Sequence, residues 1–191
     1  MNEKEPLAFR MRPKTLEEYV GQEHVIGPGK LLYRTIKADR LSSIILFGPP
    51  GCGKTSLAKV ISETTKYKFY KINAVTAGVS DIKRVVEETR NYMMNPTGKS
   101  ILFIDEIHRF NKLQQDALLP YVENGTIILI GATTENPYFE VNKALISRSM
   151  VIKLEPLTEK NIYNILKRAL TSQEGLGEYN VKIEDSTLMK I

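Results

Sequence analysis

Short, mainly apolar runs recur along the chain, separated by stretches in which apolar and polar residues alternate with a helical period. Each run has four or five residues, and most are followed directly by a glycine or an acidic residue. Runs of this length are typical of strands buried on both faces of a parallel sheet. The pattern therefore predicts five strands, at residues 43–47, 69–72, 101–104, 127–130 and 151–154.

The stretches between these runs carry apolar residues three or four positions apart, which is the spacing of one helix face. We expect a helix through Leu31 and Ile36, one over residues 54–65, and one that starts at a Ser80 cap. Others are expected near residues 141–146 and after Thr158, which is suited to capping. The third helix would present Ile82, Val85, Val86 and Met93 on one face, and a further helix Leu113, Ala117, Leu118 and Tyr121.

Strands that alternate with helices indicate a doubly wound α/β domain with a parallel sheet. In such domains ligands bind beyond the carboxyl ends of the strands. We assign residues 1–155 to this domain. After Pro156 a helical stripe follows without a partner strand, and a new helix is expected at Asp185, so residues 156–191 are assigned to the beginning of a separate helical region.

Length, composition and net charge exclude some classes of protein but do not identify a function. The 191 residues suffice for one core, and neither a long apolar stretch nor the apolar centre of a signal peptide is present. We therefore expect a cytoplasmic protein without a membrane partner. The single cysteine, Cys52, excludes an internal disulfide framework. The net charge of +5 suits a partner that carries phosphates, although scattered lysines and arginines are more typical of a solvated surface.

A phosphate-binding loop follows the first predicted strand. Gly48 and Gly53, with four residues between them, precede Lys54 and Thr55, which is the pattern that wraps backbone N–H groups around phosphates at a helix N-terminus. Lys54 would reach the outer phosphates, and the Thr55 hydroxyl would bind Mg²⁺. The sequence therefore predicts ATP and Mg²⁺ as cofactors, with a purely structural turn as the alternative. The predicted contacts are Gly48, Pro49, Pro50, Gly51, Cys52, Gly53, Lys54, Thr55 and Ser56.

Two carboxylates follow the third predicted strand, at the edge where the phosphate loop should also open. Asp105 is expected to hold the magnesium shell, and Glu106 to activate the water that attacks the γ-phosphate. An ordinary helix cap is the alternative reading of this pair. A glutamate at the second position suits water as the acceptor, so we expect an ATPase rather than a kinase.

Together, the loop, residues 105–108 and residues 131–137 resemble an AAA+ ATPase. More narrowly, residues 105–111 and 131–148 are similar to the replication-associated recombination protein A family, which is related to the Werner-helicase-interacting ATPase. The resemblance runs from about Leu7 to Leu170. It implies an AAA+ core of the P-loop NTPase fold, with an arm at residues 7–29 that closes over adenine and an incomplete helical lid at residues 156–191.

The resemblance also implies roles for single residues. Thr133 matches the sensor residue that contacts the γ-phosphate or the attacking water, and Asn73 matches the polar residue that restrains the catalytic glutamate. Arg148, after Ser147, matches an arginine finger for a neighbouring subunit. Tyr19 and Val20 match apolar contacts to adenine. A strand cap, a turn residue and a surface arginine are the respective alternatives for Thr133, Asn73 and Arg148.

His108 is also near the acidic pair, but Glu106 already supplies a base. We therefore expect His108, Arg109 and Lys112 to face a partner or DNA, or simply solvent.

For function, the resemblance implies ATP hydrolysis coupled to remodelling of DNA or protein–DNA complexes at stalled replication forks, by a nucleoid-associated homo-oligomer. Single-stranded or forked DNA, a single-strand-binding protein and a replicative helicase are the expected partners. No match to the family's second sensor arginine is found before Ile191, and its C-terminal oligomerisation region is absent from these residues. A nucleotide-gated interaction module with negligible turnover, or a motor of the Holliday-junction or clamp-loader type, is therefore kept as an alternative.

Overall fold

The computed structural model describes residues 5–93, 95–179 and 181–188. One sheet of five parallel strands forms the centre. The strands are β1 (Ser43–Phe47), β2 (Lys68–Asn73), β3 (Ser100–Asp105), β4 (Ile127–Thr133) and β5 (Ser149–Lys153). Their order in the sheet is β2-β3-β4-β1-β5, so that β2, β3 and β4 lie side by side in chain order and β1 separates them from β5.

Helices connect the strands and cover both faces of the sheet. Short 3₁₀ turns occupy Ile107–Arg109 and Gly177–Tyr179. The helices are α1 (Leu7–Arg10), α2 (Glu23–Ile26), α3 (Leu31–Lys37), α4 (Lys54–Thr64), α5 (Val79–Arg90), α6 (Lys112–Asp116), α7 (Leu119–Glu123), α8 (Pro137–Glu140), α9 (Lys143–Ser147), α10 (Glu159–Thr171) and α11 (Asp185–Leu188).

The side chains of alternate strand residues pack into two separate hydrophobic cores, one on each face of the sheet. On β1, Ile44 and Leu46 pack into the core formed with α3 and α4, whereas Ile45 points to the core formed with α5 and α9. All three side chains are fully buried. This two-sided burial is why the strands have continuous apolar runs instead of an alternating pattern, and the doubly wound α/β fold expected from the sequence is confirmed.

Three of the expected helices differ in their boundaries. Helix α5 begins at Val79 after Gly78, whose N–H donates to the Asp81 carboxylate at 2.9 Å, so Ser80 is not its cap. The helix ends at Arg90, and Met93 lies beyond it with 96% of its surface exposed.

The helix expected through Leu113 and Tyr121 is two helices, α6 and α7. Pro120 has no N–H to donate to the carbonyl of Asp116, so the helical bond pattern breaks between them. The helix expected at residues 141–146 begins two residues later, at Lys143, as α9. Val141 is extended between α8 and α9, and the Asn142 side chain caps α9 by accepting from Ala144 N at 2.8 Å.

The C-terminal helical region begins as expected. Thr158 caps α10 by accepting from Asn161 N at 3.2 Å, and α11 starts at Asp185. The assignment of residues 1–155 and 156–191 to two regions stays a prediction. Of these residues, 1–4, 94, 180 and 189–191 lie outside the described part of the chain. Within that part, no helix is long and apolar enough to cross a membrane.

Candidate nucleotide-binding site

The phosphate loop joins β1 to α4 at the carboxyl edge of the sheet. Gly53 precedes the first residue of α4 and has a φ of 98°, a conformation that side chains other than glycine rarely adopt. A Cβ atom at Gly53 would also lie 2.7 Å from the hydroxyl of Tyr19. The glycine therefore permits both the sharp turn into the helix and the close approach of the N-terminal arm.

The side chain of Lys54 turns back over this loop. Its Nζ donates to the carbonyl oxygens of Gly48 at 2.7 Å and Pro49 at 2.9 Å, and only 8% of the residue is exposed. The ammonium group is thus held within the loop rather than in solvent. A buried cation beside backbone N–H groups at a helix N-terminus is suited to polyphosphate.

A polar cavity of about 370 Å³ opens on this side of the loop. It brings together six of the nine predicted phosphate contacts, without Gly48, Pro49 and Cys52, and both carboxylates of the acidic pair, and it adds Thr134, which directly follows β4. The sequence thus correctly anticipated that the two motifs meet. The lining residues are Pro50, Gly51, Gly53, Lys54, Thr55, Ser56, Asp105, Glu106 and Thr134.

Asp105 ends β3 and shares the cavity with Thr55. Lys71 Nζ lies 3.6 Å from its Oδ2 atom. A carboxylate and a hydroxyl are hard oxygen ligands of the kind that Mg²⁺ takes together with phosphate oxygens and water. Residues 5–93, 95–179 and 181–188 contain no group of three or more His, Cys, Asp or Glu that could hold a metal by themselves. The pair therefore fits a magnesium ion bound jointly with a nucleotide.

Asn73 lies beside Asp105 in the register of β2 and β3. Its side-chain Oδ1 accepts from Val75 N at 2.9 Å, which closes a local turn after β2. Asn73 therefore lies near the two carboxylates, as expected, but its side-chain contact is that of a turn residue. A role for Asn73 in restraining Glu106 stays a prediction.

Glu106 has an unusual backbone conformation at the cavity wall. Its φ and ψ are 55° and 46°, in the left-handed region that costs a side-chain-bearing residue about 1–2 kcal/mol. Strain of this kind is often found at functional sites. The Oε2 atom of Glu106 lies 3.3 Å from His108 Nδ1.

His108 points inward rather than toward a partner or solvent, contrary to the expectation from sequence. Its Nδ1 lies 2.9 Å from the hydroxyl of Thr133, and 10% of its side chain is exposed. Thr133 itself is fully buried, and its Oγ1 also accepts from Glu135 N at 3.0 Å. Thr133 therefore lies behind Thr134, which is the threonine that lines the cavity, and its role as the sensor stays a prediction.

A second, mainly apolar cavity of about 270 Å³ lies on the other side of the phosphate loop. Tyr19 and Val20 line it, as do the loop residues Gly51, Gly53 and Ser56, which also line the polar cavity. Burial raises the pKa of the Tyr19 hydroxyl, which lies 3.4 Å from the carbonyl of Gly53. The predicted adenine contacts thus lie across the phosphate loop from the polar cavity.

Gln22 links the arm that carries Tyr19 and Val20 to the rest of the site. It is buried, and its backbone is in the left-handed conformation, with a φ of 63°. Its Nε2 donates to the carbonyls of Cys52 at 3.3 Å and Glu155 at 2.6 Å, and its Oε1 accepts from Glu155 N at 2.9 Å. One side chain therefore joins the arm, the phosphate loop and the chain that follows β5.

Arg168 on α10 holds the arm from the opposite side. It donates to the carbonyls of Met11 at 2.8 Å and Glu18 at 3.0 Å, and it lines the apolar cavity. The first helix after Pro156 therefore forms one wall of the candidate base site.

Arg148 lies at the end of α9 and is not among the described residues that line either cavity. Its Nη2 lies 2.6 Å from Glu123 Oε1, and its Nη1 donates to the carbonyl of Ala144 at 3.1 Å. The guanidinium group is partly exposed, with 42% of the side chain accessible. A role in a neighbouring subunit's site remains a prediction.

Comparison with known proteins places this geometry in a family. The sequence model of the family described as "ATPase family associated with various cellular activities (AAA)" matches residues 44–156, which begin within β1 and end just after β5. The chain belongs to the AAA family of ATPases. The P-loop NTPase fold expected from the sequence is confirmed by this match and by the parallel sheet.

Individual relatives narrow the resemblance within the AAA family. The chain is 51% identical over 187 residues to the replication-associated recombination protein A of Coxiella burnetii, covering 97% of this chain and 42% of that protein. It is 50% identical over 165 residues to the ATPase WRNIP1 of Dictyostelium discoideum, covering 86% and 19%. The similarity to this group that was expected from residues 105–111 and 131–148 is confirmed, and the chain spans less than half the length of these relatives.

Among solved structures, the RuvB Holliday junction branch migration motor of Thermotoga maritima superposes on this AAA domain with a TM-score of 0.73. The two are 29% identical, and the match covers 94% of this chain and 58% of that one.

Several residues of this AAA site were not assigned an individual site role from sequence, among them Thr134, Gln22 and Arg168. Thr134 follows Thr133 directly, and only the exact end of β4 decides which of the two faces the cavity. Gln22 and Arg168 act through contacts with residues more than 130 positions away in the chain. A sequence pattern carries no signal for contacts of that kind.

Proposed function

We propose that this chain binds ATP with Mg²⁺ and hydrolyses it, as the motor domain of a protein that remodels DNA or protein–DNA complexes at stalled replication forks. One observation carries the ATPase part of the proposal: the phosphate loop, Asp105, Glu106 and Thr134 share a single cavity. The adjoining apolar cavity, behind the same glycines, supplies room for a base.

Each residue has a distinct task in this proposal. Lys54 and the loop N–H groups bind the β- and γ-phosphates, while Thr55 and Asp105 hold the magnesium ion. Bound there, Mg²⁺ would neutralise phosphate charge and keep the outer phosphates oriented. Glu106 orients a water molecule and accepts its proton as that water attacks the γ-phosphate. Thr134 is placed to donate to the γ-phosphate or to the water.

The DNA part of the proposal is supported by the similarity to replication-associated recombination protein A and to the RuvB branch migration motor. A net charge of +5 is in keeping with a phosphate-bearing partner. We propose single-stranded or forked DNA as that partner, in a nucleoid-associated complex that includes a single-strand-binding protein or a replicative helicase.

We further propose that the whole protein acts as a homo-oligomer in which Arg148 reaches the ATP of a neighbouring subunit. Arginine fingers raise phosphoryl-transfer rates by about 10³–10⁵. In this chain Arg148 pairs with Glu123 on the surface. An exposed pair of this kind is worth about 0–1 kcal/mol, so a neighbouring triphosphate would readily displace Glu123.

The same contact favours one alternative function. While Arg148 remains paired with Glu123, the chain would bind ATP without rapid turnover and act as a nucleotide-gated interaction module. The two functions differ in a measurable way, because only the motor needs Arg148 for hydrolysis.

The experiment is steady-state ATP hydrolysis with and without single-stranded and forked DNA, with increasing fractions of Arg148→Ala chains mixed into the parent. A cooperative fall in DNA-stimulated turnover would support the oligomeric motor. Glu123→Gln serves as the matched control, since it releases Arg148 without removing it. ATP binding with no turnover at any DNA concentration would instead support the interaction module.

A further inference from the structure

A chain of polar contacts behind the cavity wall is not explained by phosphate or magnesium binding. It runs from Glu106 through His108 to Thr133, with 3.3 Å between Glu106 Oε2 and His108 Nδ1 and 2.9 Å between His108 Nδ1 and Thr133 Oγ1. Glu106 lines the polar cavity, whereas Thr133 is fully buried. One imidazole nitrogen thus touches both the expected base and a fixed group of the core.

Thr133 is a rigid anchor for this nitrogen. It is the last residue of β4, and its hydroxyl oxygen also accepts from Glu135 N at 3.0 Å. His108 in turn lies in the short 3₁₀ turn Ile107–Arg109, directly after the left-handed Glu106. The imidazole position is therefore set by the sheet and by the turn rather than by solvent.

The carboxylate decides which hydrogen His108 carries. A neutral imidazole has one N–H donor and one acceptor nitrogen, and an ionised carboxylate accepts only. With its lone pair toward Oε2, Nδ1 would face another acceptor and would be repelled. With its hydrogen there, Nδ1 donates to Thr133 Oγ1 and presents the same N–H group to Glu106 Oε2 at 3.3 Å, which attracts the carboxylate without forming a second hydrogen bond. The contacts therefore favour the Nδ1–H tautomer.

We infer that His108 is a positioning residue, whose Nδ1–H group, anchored on Thr133, holds the carboxylate of Glu106 at the wall of the phosphate cavity. The inference rests on the proposed function, in which Glu106 acts on water. It gives His108 the contact to Glu106 that the sequence led us to expect of Asn73, whose side chain closes a turn with Val75 N.

A positioning role predicts a specific kinetic change. His108→Leu keeps the side chain's volume but removes the donor, so kcat should fall about tenfold or more while KM for ATP changes less than about twofold, because a misaligned base slows chemistry without weakening phosphate contacts. His108→Asn keeps a donor close to the position of Nδ1, and we expect its kcat to recover to within about threefold of the parent.

The tautomer itself can be measured without turnover. The chain contains two histidines, so the His24→Gln variant leaves His108 as the only imidazole in a ¹⁵N NMR spectrum. His24 lies on α2, and its ring nitrogen is 3.3 Å from the carbonyl of Lys153. At a pH where His108 is neutral, we expect Nδ1 to carry the hydrogen. Glu106→Ala in the same background should shift the population toward Nε2–H, because Nδ1 is then free to accept from the Thr133 hydroxyl.

The two readouts separate this inference from the proposed function. An Nε2–H tautomer in the parent that is unchanged by Glu106→Ala would overturn the inference, whether or not the chain hydrolyses ATP. An active parent whose kcat is unchanged by His108→Leu would overturn it as well. A parent with no hydrolysis in any form, but with Nδ1–H shifting in Glu106→Ala, would overturn the proposed function and leave the contact of His108 with Glu106 established.

Discussion

The two cavities beside the phosphate loop are built in different ways. The polar cavity is lined by the loop itself and by residues at or just after the ends of β3 and β4, so short segments of sequence make most of it. The apolar cavity is closed by the N-terminal arm and α10, and the bond between Arg168 and Met11 joins residues 157 positions apart. The candidate phosphate site is therefore formed by local segments of the sequence, whereas the candidate base site depends on the tertiary structure.

Replacement of Lys54 by Met should have the largest effect on nucleotide binding. Lys54 is the buried cation of the polar cavity, and Met keeps most of its aliphatic stem. We expect the affinity for both ATP and inorganic tripolyphosphate to fall by about 100-fold, since a buried charged contact to phosphate is lost. Isothermal titration calorimetry with the two ligands measures this directly. A loss confined to ATP would contradict the assignment of Lys54 to the phosphates.

Replacement of Thr134 by Val, compared with Thr133 by Val, tests which threonine faces the chemistry. Thr134 lines the cavity, and loss of a hydrogen bond to a charged group should lower kcat about tenfold. Thr133→Val removes the anchor of His108 and should lower kcat less. Turnover assays on both variants, with melting temperatures as a check on folding, would measure the order. A reversed order would support the sensor role predicted for Thr133.

Replacement of Gln22 by Asn should weaken the base side of the site alone. Asn tolerates the left-handed conformation but is too short to reach both Cys52 and Glu155. We expect ATP affinity to fall about tenfold, the loss of one or two buried hydrogen bonds, with tripolyphosphate affinity unchanged. His24→Gln on the same arm is the control. Equal losses for both ligands would mean that Gln22 shapes the phosphate loop and not the base site.

Replacement of Tyr19 by Phe should have the smallest effect. The bond from its hydroxyl to the Gly53 carbonyl is long at 3.4 Å, so ATP affinity should change less than about threefold.

We expect Tyr19→Phe to change the pH dependence of folding stability more than it changes ATP affinity. Burial raises the pKa of Tyr19 in the folded chain, so above the ordinary value of 10.0 the unfolded chain loses this proton before the folded one does, and stability falls as pH rises. Thermal melts above that pH should therefore show a shallower decline for Tyr19→Phe than for the parent. Identical slopes would mean that Tyr19 is not buried against the loop.

The features that were predicted correctly from the sequence are those that depend on short, local segments. All five strands lie where their apolar runs are, because both faces of the sheet are buried. The phosphate loop and acidic pair meet because both follow parallel strands at one edge. Helix boundaries failed where single residues override periodicity, as Pro120 does between α6 and α7 and as Asp81 does at the start of α5.

The inward turn of His108 could not be predicted from the sequence. It follows from the left-handed backbone of Glu106 and from the exact end of β4, and neither leaves a pattern in the sequence. The four-residue helices of the arm were missed because a single turn is too short to show a period. Gln22 depends on the same long-range packing.

The most direct test of the account is a single-turnover experiment with radiolabelled ATP and Mg²⁺ on the parent and on Glu106→Gln, each in the presence of forked DNA. Gln has nearly the same size and cannot accept a proton from water. We predict that Glu106→Gln binds ATP at least as tightly as the parent and retains it unhydrolysed, with a rate lower by about 10²–10⁴. Equal rates of ADP formation in the two proteins would contradict the assignment of Glu106 as the residue that activates water.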